Sequence, residues 1–268
     1  MILHIPAPTT ISIKEGKDFK SEVSIEPCYP GYGITLGNAL RRVLLSSLPG
    51  AAVSAIKVQG KQHEYDAVEH VKEDIVEIMM NLKKLRVVCH SDEPVMLELS
   101  AKGDKVVTAA DIKKNSDVEI INKDLVIATL TDKKAELIME IMVKRGIGYE
   151  PVEERVVDKK DIGLMQIDSI FSPIQNTGLN IGHVRVGQRT DYEKVILTIT
   201  TDGTMSAKDA IASAVKILQE QFAAVLEAED TKRSKKEAKA ADEETPEKAA
   251  DDEAAGEKET KAEPETEE

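Results

Sequence analysis

A strand-rich stretch at 51–171 separates two ends of the chain that each carry a helix pattern. Short apolar runs recur within it at 52–58, 86–90, 95–100, 118–121, 125–130 and 135–145, and turn-forming residues such as Gly103 lie between them. Strands that follow one another as hairpins, without strict alternation with helices, are typical of α+β proteins. The pattern therefore predicts an α+β fold in which a mostly β portion interrupts two helix-bearing ends.

Two of the predicted helices lie before and inside this stretch. The first would begin with Thr35 as its cap and end at Pro49, with Leu36, Leu40 and Leu44 on one face. The second carries an apolar stripe at spacings of 3, 4, 3 and 4, formed by Val68, Val71, Ile75, Ile78 and Leu82. Each stripe predicts a helix that packs by one side against a sheet.

A third helix is predicted after two further strands at 182–186 and 193–200. Ser206 would cap it, and Asp209, three residues later, would complete the capping box. Its apolar seam steps by 4, 3, 4 and 3 and consists of Ile211, Val215, Leu218, Phe222 and Val225. Such a seam suits a partner helix as well as the chain's own core, and the sequence leaves both alternatives open.

The last 40 residues, 229–268, contain alanine but no larger aliphatic or aromatic side chain, and their 16 acidic residues outnumber 8 basic ones. Such a segment cannot bury enough surface to offset the entropy lost on ordering, so we predict a disordered acidic tail. A transient solvated helix is the alternative. The net charge of the whole chain, −13, argues against a protein that binds nucleic acid by itself.

No reactive constellation is found in the sequence. The histidines show no metal-type or H-E-x-x-H spacing, and Cys28 and Cys89 lie outside any Cys/His metal pattern. We therefore predict no catalytic residue, no metal and no cofactor. A signal peptide and an apolar run long enough to span a bilayer are also missing, which predicts a cytoplasmic protein with no membrane association.

A glycine-rich segment with Gly31, Gly33 and Gly37 lies at the predicted start of the first helix, where a phosphate could sit on free amide groups. Its spacing, G-x-G-x-x-x-G, misses the dinucleotide fingerprint by one residue. A turn with positive φ is the better interpretation. Arg41 and Arg42, further along the helix, are either a solvated pair or an anchor for a large partner surface.

The run from Gly31 to Gly50 closely resembles the signature of the bacterial RNA polymerase alpha subunit family. Further matches follow in the same order within 1–228: His63-Glu64-Tyr65, Glu73-Asp74-Ile75, Asn81-Leu82-Lys83, Val107 to Ile112, Arg145 to Tyr149 and Gln188 to Asp191. Several independent motifs in one order make a chance similarity improbable.

The resemblance implies a non-catalytic subunit of a nucleotidyltransferase complex. In this family, a discontinuous dimerisation subdomain, here 1–48 and 173–228, packs helices on a sheet, and a mostly β subdomain, here 49–172, is inserted into it. The resemblance further implies that the chain homodimerises and nucleates assembly of the beta and beta prime subunits for transcription. Contact with DNA would then be indirect, through the complex.

The resemblance also carries contact residues over by motif position. Arg42, Leu45 and Glu77 correspond to contacts with the beta subunit. Contacts with beta prime would come from Lys83, Ile167, Ile174 and Lys194, and the dimer interface from Tyr32, Thr35, Leu36, Leu218 and Phe222. Family members usually continue into a small helical DNA-binding domain, whereas the acidic tail stands in that place here. Promoter binding by this subunit itself is therefore not expected.

Overall fold

The computed structural model of the chain describes residues 5–155 and 163–242. Along the chain the elements are β1 (Thr10–Glu15), β2 (Lys20–Cys28), α1 (Tyr32–Ser46), β3 (Pro49–Val58), α2 (Ile75–Leu82), β4 (Val87–Cys89), β5 (Val95–Lys102), β6 (Lys105–Thr108), β7 (Val118–Ile120), β8 (Val126–Leu130), β9 (Glu136–Ile147), β10 (Tyr149–Glu150), β11 (Leu164–Gln166), β12 (Ser169–Ile170), β13 (Ile174–Val186), β14 (Arg189–Thr201) and α3 (Ala207–Asp242). The paired strands run antiparallel, and the predicted α+β class is confirmed.

The two ends of the chain build one hydrophobic core. β1, β2, β14 and β13 form an antiparallel sheet in that order. Leu44 of α1 and Ala210 of α3 are fully buried against Val23 and Leu197 of this sheet. Along β14, the buried residues Val195, Leu197 and Ile199 alternate with less buried ones. Every second side chain of a strand points to the same face, so these three all face the helices.

The strand-rich middle builds a second core. β11, β3, β9 and β5 form its main sheet, and the pairs β4 with β7 and β6 with β8 form two ribbons beside it. α2 contributes Ile75, Ile78 and Leu82, all fully buried. Ile167 belongs to this second core, whereas Ile174 belongs to the first.

The described residues up to position 220 form one compact unit that contains both cores, and those from position 221 onwards belong to a second unit. The second unit is described only as far as Asp242, where α3 ends. None of the described helices is both long and apolar enough to cross a membrane.

α2 is shorter than its apolar stripe predicted. It begins at Ile75, because the side chain of Asp74 accepts a hydrogen bond from the Glu77 N–H (2.7 Å) and caps the helix there. Val68 and Val71 still pack against the second core, but from the segment before the helix, where Val71 forms a bridge with Leu130 of β8. The predicted helical conformation of these two valines is wrong, although the face that they bury is the predicted one.

α3 is capped by Ser206 as predicted, but the capping box is incomplete, because the Asp209 carboxylate contacts the Ser206 hydroxyl and not the Ser206 backbone N–H. The helix extends beyond its predicted end. Asp209 donates its N–H to Ser206 Oγ (3.2 Å), and the Ser206 hydroxyl donates to Asp209 Oδ2 (2.7 Å). The helix runs to Asp242 and so includes 229–242, the first part of the predicted tail, for which a helix was the alternative to disorder. Alanine, lysine and glutamate extend a helix that has already been nucleated at little cost. The remainder of the predicted tail, 243–268, lies outside the described residues.

Candidate functional site

Glu193 of β14 holds the N-terminal end of α1. Its carboxylate accepts hydrogen bonds from the backbone N–H groups of Gly31 (2.9 Å) and Gly33 (2.8 Å). A helix N-terminus attracts negative charge because its first amide groups have no partner within the helix. A side chain of the protein itself therefore occupies the amide groups of Gly31 and Gly33, where a phosphate could otherwise sit.

Two of the three glycines in this segment serve close packing. A Cβ on Gly33 would lie 2.5 Å from Glu193 Oε2, and a Cβ on Gly37 would lie 2.5 Å from the Leu179 Cδ1. Gly31 has a positive φ of 84° and precedes the helix, which begins at Tyr32. The turn interpretation is therefore right for Gly31 and wrong for Gly33 and Gly37, and Thr35 lies inside α1 rather than at its cap.

Removal of the Glu193 carboxylate is expected to loosen α1 from the sheet. We expect Glu193→Ala to lower the free energy of unfolding by about 2 kcal/mol, the upper end of the range for a lost helix cap. Glu193→Gln, which keeps an acceptor oxygen, should lose less. Urea titration at fixed protein concentration measures both, with Glu22→Ala, at an exposed position of β2, as the control. Equal stability of Glu193→Ala and the control would contradict this role.

The exposed side of α1 carries both charged and apolar side chains. Its buried side contains Leu40 and Leu44, whereas Arg42 is exposed and Leu45 is 39% exposed. Among the described residues, Arg42 has no ion-pair partner. Tyr32, Thr35 and Leu36 form the beginning of this helix: Tyr32 and Thr35 are exposed, and Leu36 is half-buried against the first core. The structure thus leaves most of these predicted contact residues accessible.

α3 changes character along its length. Ala207, Ala210, Ile211 and Ala214 are buried in the first core or beside it. Leu218 is half-buried and packs against that core. Phe222, by contrast, is 65% exposed in the single chain, and Val215, Val225 and Leu226 are also exposed. The first turns of α3 therefore pack within the chain, and the later apolar residues have exposed side chains.

An open groove lies between α2 and the segment that leads into β13. Glu77, Met80 and Lys83 line it from the α2 side, and Ile170 and Ile174 line it from the other. The remaining lining residues are Asn81, Lys84, Arg86, Ser172 and Gln175. The groove thus brings Glu77, a predicted beta contact, next to the predicted beta prime contacts Lys83 and Ile174.

The predicted beta prime contacts differ in how accessible they are. Ile167 is 4% exposed and belongs to the second core, so its side chain offers no surface to a partner. Ile174 is 5% exposed, whereas Ile170, which the sequence analysis did not select, is 46% exposed. The surface isoleucine of this segment is therefore Ile170. The three isoleucines lie three and four residues apart, and the sequence alone does not show which of their side chains reaches the surface.

Lys194 lies away from the groove. It follows Glu193 on β14, and its Nζ lies 3.1 Å from Glu26 Oε2 on the neighbouring strand β2. The next residue, Val195, is fully buried in the first core. Because successive side chains of a strand point to opposite faces, Lys194 is on the face of the sheet that α1 does not cover.

Lys83, which lines the groove, forms an ion pair with Asp168. Lys83 Nζ lies 3.1 Å from Asp168 Oδ2, and the other carboxylate oxygen accepts a hydrogen bond from the Val152 N–H (3.1 Å). The Val152 N–H first, and then the Lys83 ammonium, lower the pKa of Asp168. These contacts therefore stabilise the fold above the ordinary carboxyl pKa, and their contribution is lost as the pH falls through the lowered value. It is small because both side chains are partly exposed.

The described side chains offer neither a metal site nor a reactive thiol. No group of three or more His, Cys, Asp or Glu side chains that could hold a metal ion occurs among the described side chains of 5–155 and 163–227. Cys28 and Cys89 are both buried and free. Burial raises the pKa of the Cys28 thiol, with a further contribution from the negative charge of Glu193. A raised pKa disfavours the reactive thiolate.

Comparison with known proteins gives a consistent set of matches. A family model described as RNA polymerase Rpb3/RpoA insert domain matches residues 56–172. The chain is 46% identical over 217 residues to the DNA-directed RNA polymerase subunit alpha of Symbiobacterium thermophilum. It is 44% identical over 217 residues to the protein of the same name from Oceanobacillus iheyensis. Each alignment covers 81% of this chain and 68% of the relative.

Proposed function

Because the chain belongs to the family of bacterial DNA-directed RNA polymerase alpha subunits, it is a subunit of that polymerase, and we propose that it is the homodimeric platform for assembly. Two copies would pair in the bacterial cytosol and hold one beta and one beta prime subunit. The chain would supply no catalytic residue to nucleotidyl transfer, and DNA would be contacted only through the complex.

The observation that carries dimerisation is the apolar surface of α3. Phe222, Val225 and Leu226 are each exposed by about two thirds in the single chain. Exposed apolar side chains at helical spacing mark an interaction site, because soluble proteins rarely leave such groups in water. A second copy of the chain is the occupant we propose, since two-fold pairing lets one seam cover itself. Tyr32, Thr35 and Leu36 of α1 would complete the interface with Leu218.

The beta subunit would bind the outward face of α1. Arg42 and Leu45 are accessible there, and Glu77 of α2 is exposed as well. An arginine without an ion-pair partner in the described part of the chain can form new hydrogen bonds with a partner without breaking old ones. In a homodimer this surface occurs twice, so one copy would hold beta and the equivalent surface of the other would remain available.

The beta prime subunit would bind the groove beside α2. Lys83 supplies a positive charge there, and Ile170 supplies exposed apolar surface. Ile167 cannot contribute such surface, because its side chain is buried. Ile174 would support the floor of the groove rather than reach the partner, because it is almost fully buried. Lys194 would be a separate contact on β14.

Co-expression tests the assembly as a whole. The full chain, produced with the beta and beta prime subunits of its own organism, should co-purify with both, at two copies of this chain to one of each. By itself it should show about twice its chain mass of 29.4 kDa in light scattering. A monomeric mass at micromolar concentration, together with no capture of either large subunit, would refute the platform.

A further inference from the structure

Lys83, which the proposed function assigns to beta prime binding, is held in place by the chain itself. Its Nζ lies 3.1 Å from Asp168 Oδ2 and 5.9 Å from the centroid of the Tyr149 ring. Its backbone is fixed as well, because Lys83 directly follows α2 and donates its N–H to Met79 O (2.9 Å). A lysine free in water samples many rotamers. This one is confined by an anion, a ring and a helix end.

Asp168 is the fixed member of the ion pair. The residues on either side of it, Ile167 and Ser169, are both buried and both hydrogen-bonded to the backbone of β3. Its second carboxylate oxygen is occupied by the Val152 N–H (3.1 Å). The carboxylate therefore cannot follow the lysine, and it is the flexible Lys83 side chain that is drawn to Asp168.

Arg155 forms further hydrogen bonds that fix the chain around Asp168. Its Nη2 donates to Ser169 Oγ (2.6 Å), and its Nη1 donates to the Ser54 carbonyl of β3 (2.7 Å). Its backbone N–H donates to Val152 O (3.1 Å), and its Nε lies 3.4 Å from a Glu150 carboxylate oxygen. The turn that supplies the Val152 N–H and the strand that follows Asp168 are thus tied to one arginine.

We propose that Asp168 is a positioning residue for beta prime binding, which holds the Lys83 ammonium at the groove lined by Glu77 and Ile170. The inference rests on the proposed function. An ammonium has three N–H donors, so two remain for an acceptor oxygen of the partner after Asp168 has taken one. Holding a flexible side chain in its bound position before the encounter lowers the ordering cost of association.

The test is Asp168→Asn in the full chain, assembled with beta and beta prime. Asparagine keeps an acceptor oxygen for the Val152 N–H and removes the charge that holds Lys83. Capture of beta prime should weaken roughly three- to tenfold, whereas dimer mass and beta capture should not change. Glu136→Gln, the same change in an exposed ion pair with Lys102, should behave like the unsubstituted chain.

A double-substitution cycle separates positioning from a merely structural role. Lys83→Ala should weaken beta prime capture by at least as much as Asp168→Asn, and Asp168→Asn should add nothing in the Lys83→Ala background. Normal capture by Asp168→Asn, or a full additional loss in that background, would overturn the proposal. Normal capture of beta prime by Lys83→Ala would also overturn the proposal, because it would show that Lys83 does not contribute to the interface. The platform itself would survive each of these results, since dimer formation and beta capture are measured separately.

Discussion

Phe222→Glu is expected to convert the dimer into a folded monomer. Phe222 is 65% exposed in the single chain, so a glutamate there stays in water as long as the chain is alone. In the dimer the same carboxylate would be buried without a partner, at about 3–5 kcal/mol. Even one such penalty per dimer weakens self-association by roughly two to four orders of magnitude. Light scattering at micromolar concentration measures the mass, and circular dichroism shows that the fold is kept.

The control for this variant is Ala224→Glu. Position 224 is two residues further along α3 and therefore points about 200° away from Phe222. Both variants add one carboxylate to an exposed position of the helix, so their effects on net charge match. Leu218 is a poorer choice, because it packs against the first core and its replacement would also disturb the fold. A dimeric Phe222→Glu chain would exclude this seam as the interface.

The sequence predicted the class of the fold and the family because both depend on repeated local signals. Three apolar helix stripes and a series of hairpin strands are enough to indicate α+β, and the structure confirms it. The family resemblance rested on several motifs in order, and the alignments over 81% of the chain confirm it. Both kinds of signal can be recognised without knowing which elements pack against each other in the folded chain.

The errors of the sequence analysis lie where tertiary contacts override a local pattern. Val68 and Val71 continued the stripe of α2, yet bridges to neighbouring segments hold this part outside the helix. β13 begins at Ile174, eight residues before its predicted start at 182, because β14 pairs with it along its length. The asparagines and glycines of its first half give no strand signal of their own.

The candidate contact residues came from the family resemblance, which carries over positions in the sequence but not the exposure of their side chains. Ile167, Ile170 and Ile174 lie within eight residues of one another, and only the path of the chain through β12 decides that Ile170 reaches the surface. Glu193 carried no signal at all. A register shift between Glu193 and Val195 in the β2–β14 pairing accompanies its contact with α1, and such an irregularity is invisible in a strand that otherwise alternates.

Arg42→Ala is expected to abolish efficient capture of the beta subunit while the dimer remains intact. Arg42 is exposed on α1 and has no ion-pair partner among the described residues, so its truncation removes nothing that holds the single chain together. In a partner interface, truncation of a buried arginine costs roughly 2 kcal/mol or more, which corresponds to a loss of affinity of about 30-fold. Pull-down of beta by the full chain at several concentrations measures the loss.

Arg41→Ala is the matched control, because Arg41 is also exposed but points about 100° away from Arg42 around the helix. Both variants remove one guanidinium from adjacent positions, so a general loss of positive charge would weaken beta capture equally in the two. A loss confined to Arg42→Ala would instead require a directed contact at that position. If Arg42→Ala captured beta as well as the unsubstituted chain, the two arginines would be a solvated pair, and the beta surface would have to be sought elsewhere on the chain.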